Sequence, residues 1–292
     1  MTWFQAVILG LVEGITEYLP VSSTGHLILA SAVLGLDSPP GRKAAVDTFT
    51  IVIQGGAILA VLGLYWPRVK QMVRGLVGRD PDGLRLFGLL VLAFLPAGLI
   101  GPFLDDPIDT YLFNPPAVIV ALALWGVVMI FIDRWQRRRF GSPDDPVSAS
   151  HPFVAFGDIT WRMALVIGLM QCIAMWPGTS RSMITIVAGM IVGLRPRDAA
   201  EFSFLLALPT LGGATVFKLA KDTLGGSSNL AGLGIAPIVL GIAVATVAAA
   251  LAVRWLVHYL NRHGLGVFGW YRLALAAAFA GLVAAGWLSI GG

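Results

Sequence analysis

Cysteine is almost absent, with Cys172 the single one in 292 residues. No intrachain disulfide can form, and the apolar run around Cys172 suits a small core residue better than a reactive thiol. Charge is scarce too. Charged residues make up 12% of the chain, against roughly 25% in soluble domains, while 57% are hydrophobic and the mean hydropathy is +0.82. That balance excludes a soluble domain and a nucleic-acid binder, and it makes lipid the main solvent. Lysine is rare beside arginine, alanine and glycine, a bias common in GC-rich bacterial genomes. No basic stretch precedes the N-terminal apolar run, so a cleavable signal peptide is not expected.

A membrane-spanning helix needs roughly 20 apolar residues. Residues 48–66, 84–104, 116–133, 199–220, 233–255 and 268–288 meet that requirement. Two further apolar regions do not. The first runs from Trp3 to Val12, meets Glu13 and Glu17, breaks at Pro20 and resumes at Leu27–Leu36. The second runs from Met163 to Met175, breaks at Pro177–Ser182 and resumes at Met183–Leu194. Each piece is too short to cross alone. Each region therefore reads as a re-entrant helical hairpin, a shape tolerated only where protein or a wet cavity surrounds the broken backbone.

The basic residues set the orientation, since cytoplasmic loops are enriched in them. They gather at Arg68, Lys70, Arg74 and Arg79 in loop 67–83, and at Arg134, Arg137, Arg138 and Arg139 in loop 134–160. Turn 194–198 adds Arg195 and Arg197, and loop 254–272 adds Arg254, Arg262 and Arg272. The remaining connections hold only Arg42, Lys43 and Lys221. With the basic loops inside, the second hairpin enters from the cytoplasm and the first from outside, and both termini lie outside.

The expected fold is an all-α polytopic membrane protein with six spanning helices and two re-entrant hairpins. Its halves, 1–135 and 161–292, form an inverted-topology repeat joined by a cytoplasmic linker, 136–160. Weak internal similarity agrees. Leu9-Gly10-Leu11-Val12-Glu13 resembles Ile167-Gly168-Leu169-Met170-Gln171, and Gly55-Gly56-Ala57 resembles Gly212-Gly213-Ala214. Pro20-Val21-Ser22-Ser23 resembles Pro177-Gly178-Thr179-Ser180. Such folds place their site near the midplane, where the repeats meet.

The polar residues in the two breaks point to an anion site. Glu13 and Glu17 are one helical turn apart, about 6 Å along the axis and on one face. Carboxylates at mid-membrane cost about 2.5–3.5 kcal/mol each, and hard oxygen donors suit Mg²⁺ or Ca²⁺. Ser22-Ser23-Thr24-Gly25-His26 precedes a half-helix, whose N-terminus offers free N–H groups and a positive dipole end to an anion. N-capping accounts for one hydroxyl there but not for all five residues. Gly178-Thr179-Ser180-Arg181-Ser182 repeats that geometry, and Arg181 adds a cation whose fork fits phosphate oxygens. A phosphate with a divalent metal uses every part, and a lipid head group explains why the site lies in a membrane. Glu201 starts a spanning helix nearby, where it either orients Arg181 or favours the helix N-terminus. Gln54-Gly55-Gly56 reads as close helix packing or as support for the site.

Residues 13–26, from Glu13-Gly14-Ile15-Thr16-Glu17 through Ser22-Ser23-Thr24-Gly25-His26, resemble the first signature of the undecaprenyl-diphosphate phosphatase, or bacitracin-resistance, family. Pro177-Gly178-Thr179-Ser180-Arg181-Ser182 with Thr185 resembles the second, and the likeness covers nearly the whole chain. Two positions depart from the family pattern: Met183, where a small residue is usual, and Tyr18, where Phe or Trp is common. The resemblance implies removal of the terminal phosphate of undecaprenyl diphosphate, which recycles the carrier lipid for peptidoglycan synthesis and confers bacitracin resistance. It also implies a divalent metal, a bacterial inner-membrane location and a site opening to the outer face. Glu13, Glu17, Ser22, Ser23, Thr24, His26, Ser180 and Arg181 carry over as active-site positions.

Within that expectation, Glu13 and Glu17 hold the metal. Ser22, Thr24, Gly25, Gly178, Thr179, Ser180, Ser182 and Arg181 bind phosphate. Ser23 attacks with His26 as acid–base partner, although His26 or water attacking phosphorus remains open. A flippase for a phosphorylated polyprenyl lipid is the competing reading, because inverted repeats and broken helices also serve alternating access. A homo-oligomer is compatible with either.

Overall fold

The computed structural model describes residues 1–36, 40–140, 153–224 and 233–287, with only the backbone of 40–43 and 222–224. Among the described residues there are eleven α-helices: α1 (Trp3–Thr16), α2 (Ser23–Val33), α3 (Pro40–Leu64), α4 (Trp66–Leu76), α5 (Pro81–Tyr111), α6 (Pro115–Phe140), α7 (Trp161–Gln171), α8 (Arg181–Ile191), α9 (Pro196–Leu224), α10 (Ile235–Leu260) and α11 (Gly266–Ala284). Helices α3, α5, α6, α9, α10 and α11 are long and apolar enough to cross a membrane, whereas α1, α2, α7 and α8 are not.

The helix starts follow local chemistry. Thr2 closes a capping box with Gln5 ahead of α1, and Asp80 caps α5 in front of Pro81. A side-chain oxygen there takes up an N–H that has no partner within the helix. Pro96, Pro102 and Pro107 lie inside α5, and Pro209 inside α9. Such prolines are tolerated in membrane helices because neighbours satisfy the freed carbonyls.

Small residues bring the short helices against long ones, as is usual where lipid removes the hydrophobic drive for helix association. A Cβ on Gly10 would meet the Gly241 carbonyl oxygen, and one on Gly14 would meet Ala245, Ala248 and Ala249. Helix α1 therefore runs alongside α10 in the same direction and stops about halfway along it. A Cβ on Gly168 would strike the Ala93 backbone, and Met175 reaches Gly101, so α7 follows α5 in the same way. Helix α3 also runs parallel to α10, with Phe49 and Ile53 at Gly241 and Gly56 at Ala245. Helix α5 runs back, joined to α3 through α4. Hence α1 and α7 start at opposite ends of the bundle.

Their partners return to those ends. Leu34 and Leu36, just beyond α2, share an apolar cluster with Ala6, Leu9, Val46 and Leu233. Gly193 and Leu194, just beyond α8, meet Val154 and Gln136, and the Val154 amide donates to the Gly193 carbonyl oxygen. Buried residues of α8 and α9, including Ile184, Val187, Phe202 and Leu205, lie in the largest core cluster.

Several details differ from the sequence reading. Residues 67–83 are not simply a loop, because α4 occupies most of them. It carries Arg68, Lys70 and Arg74 beside exposed Trp66, Val73 and Leu76, the pattern of a helix lying at a membrane interface. Arg254 and Arg272 are helical, and Arg272 is fully buried rather than in a loop. The apolar face of α11 extends past it, so one arginine inside that face looked like a loop boundary. Finally, the repeats align differently at the breaks. Ser22 caps α2 and Ser180 caps α8, so Ser23 stands opposite Arg181 rather than Ser180. Residues 136–140 of the expected linker continue α6, and 141–152 lie outside the described residues.

Candidate functional site

The two breaks meet at mid-bundle. Glu17 closes α1, with its amide donating to the Glu13 carbonyl oxygen at 2.9 Å, and its carboxylate is buried. The two Glu17 oxygens take different partners. Ser23 Oγ donates to Oε2 at 2.8 Å, and Arg181 Nη2 donates to Oε1 at 3.1 Å. Ser23 opens α2 and Arg181 opens α8, so a single carboxylate joins both half-helix N-termini.

Arg181 is further aligned by the Ser203 carbonyl oxygen at 3.0 Å, and its guanidinium lies 5.6 Å from the Tyr18 ring centroid. Tyr18 is itself fixed, its hydroxyl donating to the Ala57 carbonyl oxygen at 2.9 Å. Glu201 does not reach Arg181. It pairs with Arg68 of α4 at 2.9 Å, which answers the question the sequence left open. Gly56 packs on the α10 backbone, so the Gln54-Gly55-Gly56 stretch holds a packing glycine.

The second loop is tied to the first. Ser182 Oγ donates to the Leu19 carbonyl oxygen at 3.1 Å and lies 3.0 Å from Ser180 Oγ. Ser180 accepts from the Met183 amide, as Ser22 does from Gly25. Thr185 and Ser203 share a 2.6 Å hydroxyl contact behind Arg181. Thr179 Oγ1 and Arg181 Nε are buried with no partner among the described residues. Unpaired buried donors are costly unless a ligand or water takes them. Gly178 has φ +91° and lies where a Cβ would press on the Val118 carbonyl oxygen, so only glycine fits this crossing. Thr24 and Gly25 lie on the first turn of α2, half-buried and buried respectively.

His26 stands apart from this group. Its Nδ1 is 2.7 Å from the Ser22 carbonyl oxygen and its Nε2 is 2.6 Å from Tyr271 Oη. Both ring nitrogens are therefore engaged, neither of them with Ser23. Two residues of α11 at the site were not singled out from the sequence, although Arg272 is a charge within the apolar stretch 268–288. Tyr271 is one. The other is Arg272, whose Nη2 donates to the carbonyl oxygens of Gly178 at 2.7 Å and Ala121 at 3.3 Å. They lie outside the polar breaks, and only the close packing of α11 on α6 brings them in.

Among the described residues no cluster of three or more acidic, histidine or cysteine side chains could hold a metal unaided. The donor set still suits a hard cation shared with a phosphate. Glu13 is buried on α1 one turn before Glu17. Two carboxylates completed by phosphate oxygens and water are an ordinary Mg²⁺ arrangement.

The family model for bacitracin resistance protein BacA matches residues 6–278. A protein of Sorangium cellulosum named undecaprenyl-diphosphatase is 49% identical over 277 residues, covering 95% of this chain and 85% of the relative. Another of that name from Methylococcus capsulatus is 43% identical over 291 residues, covering 97% of both chains. One from Rhodospirillum rubrum, named undecaprenyl-diphosphatase 2, is 42% identical and covers 96% of each. A match of this length and identity places the chain in the BacA family of bacitracin resistance proteins.

Proposed function

We propose that this chain is a multi-pass bacterial inner-membrane enzyme. It hydrolyses undecaprenyl diphosphate to undecaprenyl phosphate and inorganic phosphate, which recycles the carrier lipid for peptidoglycan synthesis and raises bacitracin resistance. The names of its relatives support the reaction. The observation that carries the reading is the shared carboxylate: Glu17 holds a hydroxyl from one hairpin and a guanidinium from the other.

That arrangement suits attack at phosphorus. Ser23 is the nucleophile, and Glu17 is placed to take its proton. Serine Oγ bonds to the terminal phosphorus, the bond from phosphorus to the bridging oxygen breaks, and prenyl monophosphate leaves. Water then hydrolyses the phosphoserine to phosphate. Arg181 and the half-helix N-terminal N–H groups stabilise charge on the transferred group. Glu13, together with Glu17, would hold Mg²⁺ or Ca²⁺. Such an ion, when bound, neutralises phosphate charge and polarises phosphorus. His26 has no direct path to Ser23, so its acid–base work falls on the leaving oxygen or the attacking water.

The two hairpins differ in burial. Helix α8 is buried along Ser182–Met190, whereas most of α2 is only half-buried. The site is thus more open on the side where the first hairpin enters. The positive-inside rule makes that the outer face, with both hairpins re-entrant and the halves inverted. A flippase would share the broken helices, but a serine hydroxyl seated on a carboxylate is more than transport requires.

Purified protein in detergent, supplied with undecaprenyl diphosphate and Mg²⁺, should release phosphate. Ser23→Ala and Arg181→Ala should each lower release by about 100-fold or more. Near-normal turnover by Ser23→Ala would remove it as the nucleophile. No release by wild type from any prenyl diphosphate would leave transport as the better reading.

A further inference from the structure

Tyr271 and Arg272 are consecutive on α11, and each touches a different loop of the site. The His26 geometry defines what Tyr271 does. Nδ1 sits 2.7 Å from the Ser22 carbonyl oxygen, which can only accept, so Nδ1 carries the proton. In the neutral ring Nε2 is then the acceptor, and the Tyr271 hydroxyl donates to it at 2.6 Å. The two rings are parallel to within 2°, with centroids 5.7 Å apart. The one His26 nitrogen able to exchange a proton thus faces α11, under the control of a tyrosine that is 45% exposed.

Arg272 controls the second loop. Its side chain is fully buried, no carboxylate pairs with it among the described residues, and its Nε and Nη1 have no partner there. A buried, unpaired cation within the membrane is expensive, so a mere wedge between α11 and α6 would be better made of leucine. What the guanidinium does is hold backbone. Nη2 takes the Gly178 carbonyl oxygen, while the Thr179 amide on the same peptide donates to the Trp176 carbonyl oxygen at 3.1 Å. Both faces of the Gly178–Thr179 peptide are therefore pinned, immediately before the strained cap at Ser180. The second bond of Nη2, to Ala121, anchors this peptide to α6.

We propose that Tyr271 and Arg272 are positioning residues that set the two loops relative to each other, Tyr271 by holding His26 through Nε2 and Arg272 by holding the Gly178–Thr179 peptide. This rests on reading Ser22–His26 and Pro177–Ser182 as one phosphate site.

The test is steady-state phosphate release from undecaprenyl diphosphate by full-length detergent-solubilised protein. Tyr271→Phe keeps shape and loses only the hydroxyl. It should lower kcat about tenfold with KM within about twofold, because an orienting contact acts on the chemical step. In a His26→Gln background the same change should cost less than about twofold, since residues acting through one another are not additive. Arg272→Met should lower kcat by about tenfold or more, with Arg272→Lys recovering part of that loss by restoring one donor to Gly178. Full turnover by Tyr271→Phe, or an equal loss in both backgrounds, overturns the proposal. If Arg272→Met fails to fold, the tyrosine cycle still decides. If His26→Gln alone has wild-type kcat, the role of His26 in the site falls, and this proposal with it. If His26→Gln is impaired while Tyr271→Phe is not, only the positioning role fails.

Discussion

Ser22 and Ser180 hold the same strained backbone in the two halves of the molecule, with φ 76° and ψ 99° in one and φ 73° and ψ 113° in the other. They are the only residues other than glycine with positive φ among those described. Each is the last residue before a half-helix and accepts a hydrogen bond from an amide in that helix's first turn. A non-glycine residue in such a region costs of order 1–3 kcal/mol. Here the cost lies directly in front of Ser23 and Arg181, the two groups that grip Glu17.

The strain predicts an unusual order of variants. Ser180→Gly relieves the backbone and gives up the cap, which is worth only a few tenths of a kcal/mol against glycine. Ser180→Ala keeps the strain and loses the cap, at about 1–2 kcal/mol. Thermal unfolding in detergent should therefore rank Gly near wild type and Ala clearly below, and likewise at Ser22. Alanine matching glycine at both positions would mean that the backbone there is not under strain.

The Glu17–Arg181 pair is buried, with side chains only 6% and 9% exposed. Removing one partner strands the other charge, at about 3–5 kcal/mol. Glu17→Gln and Arg181→Gln should each lower the melting temperature strongly. The double variant should be more stable than the sum of the two losses implies, yet remain inactive.

The carboxylates predict a metal dependence. Chelation should stop phosphate release, and Mg²⁺ or Ca²⁺ should restore it. Glu13→Gln should raise the metal concentration needed for half-maximal rate by about tenfold, the low end of the losses that follow changes in metal-site partners. An unchanged metal requirement would separate Glu13 from the ion.

Helix packing gives an internally controlled pair. Gly14→Ala drives a methyl into the α10 backbone and should cost about 1–3 kcal/mol, together with activity, because α1 carries Glu13 and Glu17. Gly212→Ala meets nothing within 4 Å and should change stability by no more than about 0.5 kcal/mol. Unfolding midpoints of the two variants make the comparison.

Orientation can be read by labelling in a Cys172→Ala background. Asp106, 84% exposed on its side chain at the end of α5 that pairs with Lys221, should as Asp106→Cys react with a membrane-impermeant maleimide on intact cells. Arg74→Cys on α4 should react only after the cells are opened. The reverse pattern would invert the assignment and move the open side of the site to the cytoplasm.

Much of this protein was legible in its sequence because membrane constraints are one-dimensional. An apolar run either reaches about 20 residues or does not, and the six spanning helices follow from that count. Glu13, Glu17, Ser22–His26 and Pro177–Ser182 stood out because polar residues within such runs are costly and need a reason. What the sequence determined, then, was which segments meet lipid and where polar residues interrupt them. Only the tertiary structure decided how those residues pair. Glu17 could share Ser23 and Arg181 only once two hairpins, starting at opposite ends, met halfway along α10 and α5. The one-residue shift that sets Ser23 opposite Arg181 came from backbone dihedrals, which motif similarity does not record. Tyr271 and Arg272 joined the site through the packing of α11 on α6, and contacts between segments so distant in the chain leave no local pattern in it.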